Sequence, residues 1–100
     1  MNWLVVLRPL ATEDVRENVA NLNSRLAGLG QRFLFRLREF LTRLETNPEL
    51  YGVVWRDVRA ARLKKFNSVV YYVILPPDRV EVLAVLHGHQ RASVWRRRAD

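Results

Sequence analysis

Two apolar runs joined by a pair of prolines constrain this chain more than anything else in it. Val69 to Leu75 and Val80 to Leu86 are rich in β-branched and aromatic residues, and they flank Pro76-Pro77-Asp78-Arg79, which reads as a hairpin with a four-residue connection. In the second run Val80, Val82, Ala84 and Leu86 alternate with Glu81, Leu83, Val85 and His87. Both sets are mostly apolar, so this strand is expected in the middle of a sheet. A central hairpin needs a partner strand on each outer side and helices over at least one face.

The rest of the chain supplies those partners. Asn2 to Arg8 reads as a short strand with Trp3, Val5 and Leu7 on one side, ended by Pro9. Thr12 stands as a helix N-cap, with Glu13 and Asp14 in the first turn at the positive end of the helix dipole. Val15, Val19, Leu22 and Leu26 recur at helical spacing until Gly28 and Gly30 stop the helix. A second helix, from about Gln31 to Glu45, buries Phe33, Leu37, Phe40, Leu41 and Leu44, and Pro48 lies just beyond its end. With Gly28-Leu29-Gly30 between them, the two form an antiparallel hairpin over Ala11 to Glu45.

Arg32, Arg36, Glu39 and Arg43 fall on an adjacent stripe, read as a solvated face on which Glu39 and Arg43 pair for only about 0.2 to 0.5 kcal/mol. Trp55 to Phe66 is read as one strand, with Val58, Ala60, Arg62 and Lys64 on one side and Arg59, Ala61, Leu63 and Lys65 on the other. Asn67-Ser68 then turns into the hairpin, giving a three-stranded antiparallel meander. Ser93 to Asp100 is a basic tail, expected as a short helical turn or a frayed end.

The expected fold is therefore α+β: an N-terminal strand, an antiparallel helical hairpin on one sheet face, and the meander. The N-terminal strand should pair with the last strand or lie at the sheet edge. Val15, Leu22, Leu26, Phe33, Leu37, Phe40, Leu44, Val73 and Leu83 should form the core.

Composition removes several classes of function. One hundred residues, 49% of them hydrophobic, suffice for a single domain over residues 1–100 with a modest core. Without cysteine there is neither a disulfide framework nor a thiolate zinc site. The apolar run Trp3 to Leu7 is too short for a signal-peptide core or a membrane span, so a cytoplasmic protein that does not enter membranes is expected. Residues 1–55 carry seven Arg against six acids, whereas residues 56–100 carry ten Lys and Arg against four, so the net charge of +7 is almost all C-terminal. Such a surplus serves solubility, or makes a basic face for nucleic acid or an acidic protein partner.

No glycine-rich phosphate loop, paired carboxylates or Ser-His-Asp set stands out. His87 and His89 lack neighbouring acids or thiols and make a poor metal site, so neither metal nor cofactor is expected. The side chains with useful chemistry are Arg62, Lys64, His87, His89, Arg91 and Trp95. Each has a plainer reading: His87 as a hydrogen-bonded group at a strand end, Arg62 and Lys64 as a solvated sheet face, Trp95 as packing for the tail. Tyr71 and Tyr72 point to opposite sheet faces, where core packing is their ordinary use.

Taken in order, Arg8-Pro9 with Ala11, Asp14 and Val15, Leu44 with Asn47-Pro48, Arg62, Leu63 and Phe66, Tyr71-Tyr72, and the stretch Val85 to Arg91 cover nearly the whole chain. In that order they resemble the ParE/RelE superfamily of toxins from bacterial type II toxin–antitoxin systems. Asn67-Ser68 departs from the family, where many members have Pro-Tyr. The resemblance implies a sheet packed by a helical hairpin, toxicity to the host cell, and neutralisation by a cognate, acidic antitoxin whose C-terminal segment wraps the toxin. It also implies one of two targets, since RelE-like members cut messenger RNA on the ribosome and ParE-like members poison DNA gyrase.

RNA cleavage through the 2′-OH needs a proton acceptor, a positive clamp on the phosphate and a proton donor for the leaving oxygen. RelE-like nucleases carry a basic residue where this chain has Val69 and Val70, a second just past the last strand, and a tyrosine near the C-terminus. His89 or Arg91 can fill the second role, and His87 and Arg62 are further candidates. Trp95 stands at the tyrosine's place, and an indole is neither acid nor base. The reading that results is a ParE-like toxin acting on gyrase by binding, with a metal-independent endoribonuclease as the alternative and a non-toxic nucleic-acid-binding module third. Arg59, Arg62, Lys64, Arg91, Trp95, Arg96 and Arg97 are the expected binding residues for target or antitoxin.

Overall fold

The computed structural model describes residues 2–88 and 92–99. Strand β1, Leu4–Leu7, leads directly into helix α1, Pro9–Arg25, and a turn then reverses the chain into α2, Leu29–Thr46. Pro9 sits in the first helical turn, where a fixed φ suits the helix and the missing N–H is not needed. The helix therefore begins at Pro9 rather than after Thr12, whose hydroxyl turns back 3.5 Å from the Arg8 carbonyl instead of capping an N–H. Asp14, expected in the first turn, lies deeper in the helix and is buried. Gly28, at φ +88°, makes the reversal between the helices, while Gly30 is part of α2.

Phe33, Leu37, Phe40 and Leu44 are buried as the periodicity demands. Leu26 is not, with 59% of its surface exposed: it caps α1 in an extended conformation, so the helical spacing no longer aims it inward. The arginine stripe of α2 also pairs differently. Glu39 takes Arg36 at 3.3 Å, and Arg43 reaches the Tyr51 hydroxyl at 3.2 Å.

The sheet holds β2 Val53–Trp55, β3 Val58–Leu63, β4 Ser68–Leu75 and β5 Arg79–His87, in the order β1-β5-β4-β3-β2. β1 runs parallel to β5, as the pairing of first and last strands anticipated, and the remaining neighbours are antiparallel. The strand expected over Trp55 to Phe66 is broken at both ends. Arg56, at φ +53°, turns the chain so that Val53–Trp55 becomes a separate edge strand, and Lys64–Phe66 coils into a 3-10 turn. The meander is thus four-stranded, and because Arg79 pairs with Leu75 the hairpin connection is Pro76 to Asp78.

A bulge in β5 decides which side chains face which layer. Tyr71 lies opposite Ala84 but Tyr72 lies opposite Val82, which leaves Leu83 as the extra residue. Val80, Val82 and Val85 consequently pack with Tyr72 under the helical hairpin, whereas Leu83, Ala84 and Leu86 join Val58 and Val73 on the other face. The simple alternation expected for this strand therefore holds only to Leu83. Ala84 and Leu86 change sides, and His87 moves to the α1 side with Asn18 and Asn21.

Helix α3, Ala92–Ala99, covers that second face through the buried Trp95, so the basic tail is a docked helix rather than a frayed end. The cover matters because full burial of each Val or Leu contributes roughly 1.5 to 3 kcal/mol. Beyond Val82, β5 has no strand on its β1 side, while β4 continues along the other, and side chains satisfy that open edge instead. Asp14 accepts the Val85 N–H at 2.9 Å, Asn18 donates to the Val85 carbonyl at 3.1 Å, and Arg98 donates to the Leu83 carbonyl at 3.1 Å. Among the described residues, no helix is long and apolar enough to cross a membrane.

Candidate functional site

Where the helical hairpin overhangs the connection between β3 and β4, three adjoining depressions of about 710, 390 and 400 Å³ share Lys65 and Phe66. Phe66 is anchored edge-on against the buried Phe33, with ring centroids 5.6 Å apart, and this fixes the 3-10 turn beneath α2. Arg32, Phe35 and Arg36 of α2 form the facing wall, and Phe35 is 61% exposed. Arg43, Arg62 and Lys64 line the continuation toward Tyr51, and Arg25 stands at the α1 end. Glu39 is the one carboxylate among the described residues that line these depressions, and it is already engaged by Arg36.

Asn67 organises the α1 end of this groove. It adopts the left-handed conformation, φ +50°, which asparagine tolerates better than most residues, and its carbonyl accepts the Gly88 N–H at 2.7 Å. Its side chain spans two candidates: Arg62 donates to Oδ1 at 3.4 Å, and Nδ2 lies 3.4 Å from His87 Nε2. Arg62 and His87 are thus brought together at the end of the sheet, around Asn67. Val69 and Val70 are buried and present no cation there.

Trp95 lies elsewhere. Its indole stacks on Tyr71, centroids 4.6 Å apart and planes 14° apart, and meets Trp55 edge-on at 6.1 Å, all on the α3 face. Arg96 lies over both indoles, so its charge is held against the aromatic cluster. Burial pushes the Tyr71 phenol up, against the opposing pull of its hydrogen bond with Trp95 and the charge of Arg62, so it stays protonated at neutral pH. Arg97 is exposed on α3. Arg59 clamps the preceding loop, donating to the Tyr51 carbonyl at 2.7 Å and the Glu49 carbonyl at 3.3 Å. His89 and Arg91 lie outside the described residues.

The expected binding set is therefore divided between two faces, with Lys64 on the groove and Trp95, Arg96 and Arg97 across the sheet. Arg32, Phe35, Arg36 and Lys65 were not singled out by sequence, because an arginine stripe on a helix reads as solvent-facing. The available signal was Phe35, an aromatic residue off the buried Phe33/Leu37/Phe40 stripe and between two arginines. No three His, Asp or Glu side chains among the described residues cluster as a metal site would require.

Comparison with known proteins agrees with this architecture. No curated protein matches the chain in sequence. A solved structure described as the chromosomal ParDE TA system from P. aeruginosa superposes with a TM-score of 0.63 at 8% identity, over 85% of this chain and 95% of that one, which establishes a shared fold. The family model described as ParE toxin of type II toxin-antitoxin system, parDE, matches residues 5–92. The strand, helical hairpin and meander expected from the sequence are those of that fold, and the chain belongs to the ParE toxin family of type II toxin–antitoxin systems.

Proposed function

We propose that this toxin arrests growth by binding its target rather than by cutting RNA, with DNA gyrase as the target and a cognate acidic antitoxin as the neutralising partner. The observation that carries the reading is the division of the nuclease positions between two sheet faces. His87 lies on the α1 side, whereas Trp95 is stacked on Tyr71 under α3 and 6% exposed. An acid and a base that share one phosphodiester must both come within hydrogen-bond reach of it. Val69 and Val70 add no positive clamp, being 9% and 0% exposed and apolar.

One observation favours messenger RNA cleavage as a second reading: the chain Arg62, Asn67 and His87 sets a cation and an imidazole at one end of the groove. Expression of the wild type against a His87→Ala, His89→Ala double variant separates the two. Retained growth arrest with DNA damage and intact transcripts supports binding. Transcripts cut within codons by the wild type and spared by the variant overturn it.

A further inference from the structure

We infer that the groove over Lys65 and Phe66 is a binding surface for single-stranded nucleic acid, an activity separate from the target proposed above. Four features support this. The first is charge. Arg25, Arg32, Lys64 and Lys65 have no carboxylate paired with them among the described residues, and the one acid on the walls is neutralised by Arg36. A groove with one sign of charge concentrates polyanions.

The second feature is the interleaving of rings with cations. Phe35 stands exposed between Arg32 and Arg36 on one wall, and Phe66 adjoins Lys65 on the other. Bases stack on rings placed in this way while the cations hold the phosphates on either side. Phe35 is 61% exposed and shares its wall with Arg32 and Arg36, so its ring is open to a stacking base.

Length is the third feature. Arg32, Arg36 and Arg43 lie along one side of α2, and a span of eleven residues covers about 16 Å at the helical rise. At about 3.4 Å per nucleotide, the rise of a fully stacked strand, that accommodates at most roughly five nucleotides. Fourth, Asn21 adds a side-chain amide to the lining at the α1 end, where the amides of Asn18 and Asn67 are already bonded within the protein. An amide of this kind offers donors and an acceptor to base edges, which are free only in a single strand.

The test is fluorescence anisotropy of the full chain with labelled dT12 and U12, a 12-base-pair duplex and a poly-glutamate peptide. Single strands should bind tightest, dT12 and U12 alike, because the groove addresses phosphates and base faces rather than the sugar. Arg32→Ala with Arg36→Ala should weaken dT12 binding by about tenfold or more and reduce its salt slope by about two. Phe35→Ala, at an exposed position, should weaken binding about fivefold or more with the salt slope unchanged. Arg16→Ala with Arg38→Ala removes the same charge from exposed positions outside the depressions and should leave binding within about twofold of wild type. Equal losses from the two arginine pairs, tighter binding of the duplex, or preference for poly-glutamate would each overturn the assignment. Failure of the gyrase reading leaves these measurements unaffected.

Discussion

The guanidinium of Arg98 donates to both carboxylate oxygens of Asp14, at 2.6 and 3.3 Å, joining α3 to α1 across 84 residues of chain. Asp14 also accepts the Val85 N–H, so one buried carboxylate closes the open edge of β5 and holds the C-terminal helix. Arg8 completes the link by donating to the Arg98 carbonyl at 2.8 Å and to Glu81 at 2.8 Å. Burying two charges costs several kcal/mol per ion, which this geometry offsets only while both partners are present.

Asp14→Ala should therefore destabilise the protein by about 3 to 5 kcal/mol, because it leaves a mostly buried guanidinium and an unpaired N–H. In urea denaturation, Asp14→Ala combined with Arg98→Met should cost less than the sum of the single changes. Strict additivity would show that the pair is not coupled.

Tyr72 sets an alkaline limit. Its hydroxyl donates to the Pro48 carbonyl at 2.6 Å in a fully buried position, and burial pushes its pKa up to about 12. The unfolded phenol ionises near pH 10, so between about pH 10 and about pH 12 the unfolded state loses its proton first. Stability from this group is complete below the lower value and falls by roughly 2 to 3 kcal/mol across the window. Tyr72→Phe should cost about 1 kcal/mol at neutral pH through the orphaned carbonyl and should flatten that fall. Parallel pH profiles for variant and wild type would refute the assignment.

Gly30 of α2 packs closely against α1. A Cβ there would stand 2.8 Å from both Cγ1 and the carbonyl oxygen of Val19, while one at Gly52 would meet nothing within 4 Å. Gly30→Ala should lower stability by about 1 to 3 kcal/mol, and Gly52→Ala should change it by less than about 0.5 kcal/mol. Thermal unfolding of the two variants makes the comparison, and equal melting temperatures would contradict it.

Arg62 and Lys64 at the sheet end, with Arg97 on α3, are exposed charges, and an acidic antitoxin segment crossing them should be steered by the field. Its association rate should fall between low and high salt while dissociation changes little. A salt-independent association rate would remove the electrostatic part of the proposed complex.

What the sequence determined by itself was everything set by local periodicity. Side-chain alternation marks Val69 to Leu75 as a strand with Tyr71 and Tyr72 on opposite faces, and the spacing of Phe33, Leu37, Phe40 and Leu44 marks the buried side of α2. These patterns survive because each depends on residues within a few positions of one another. The bulge at Leu83, the side on which His87 emerges and the meeting of Asp14 with Val85 and Arg98 were decided only in the tertiary structure. Each depends on partners 71 or more residues away, or on the register against a neighbouring strand, and neither leaves a local period. The groove was hidden for the same reason: Arg32 and Arg36 read as a solvated stripe until Lys65 and Phe66 are folded up against them.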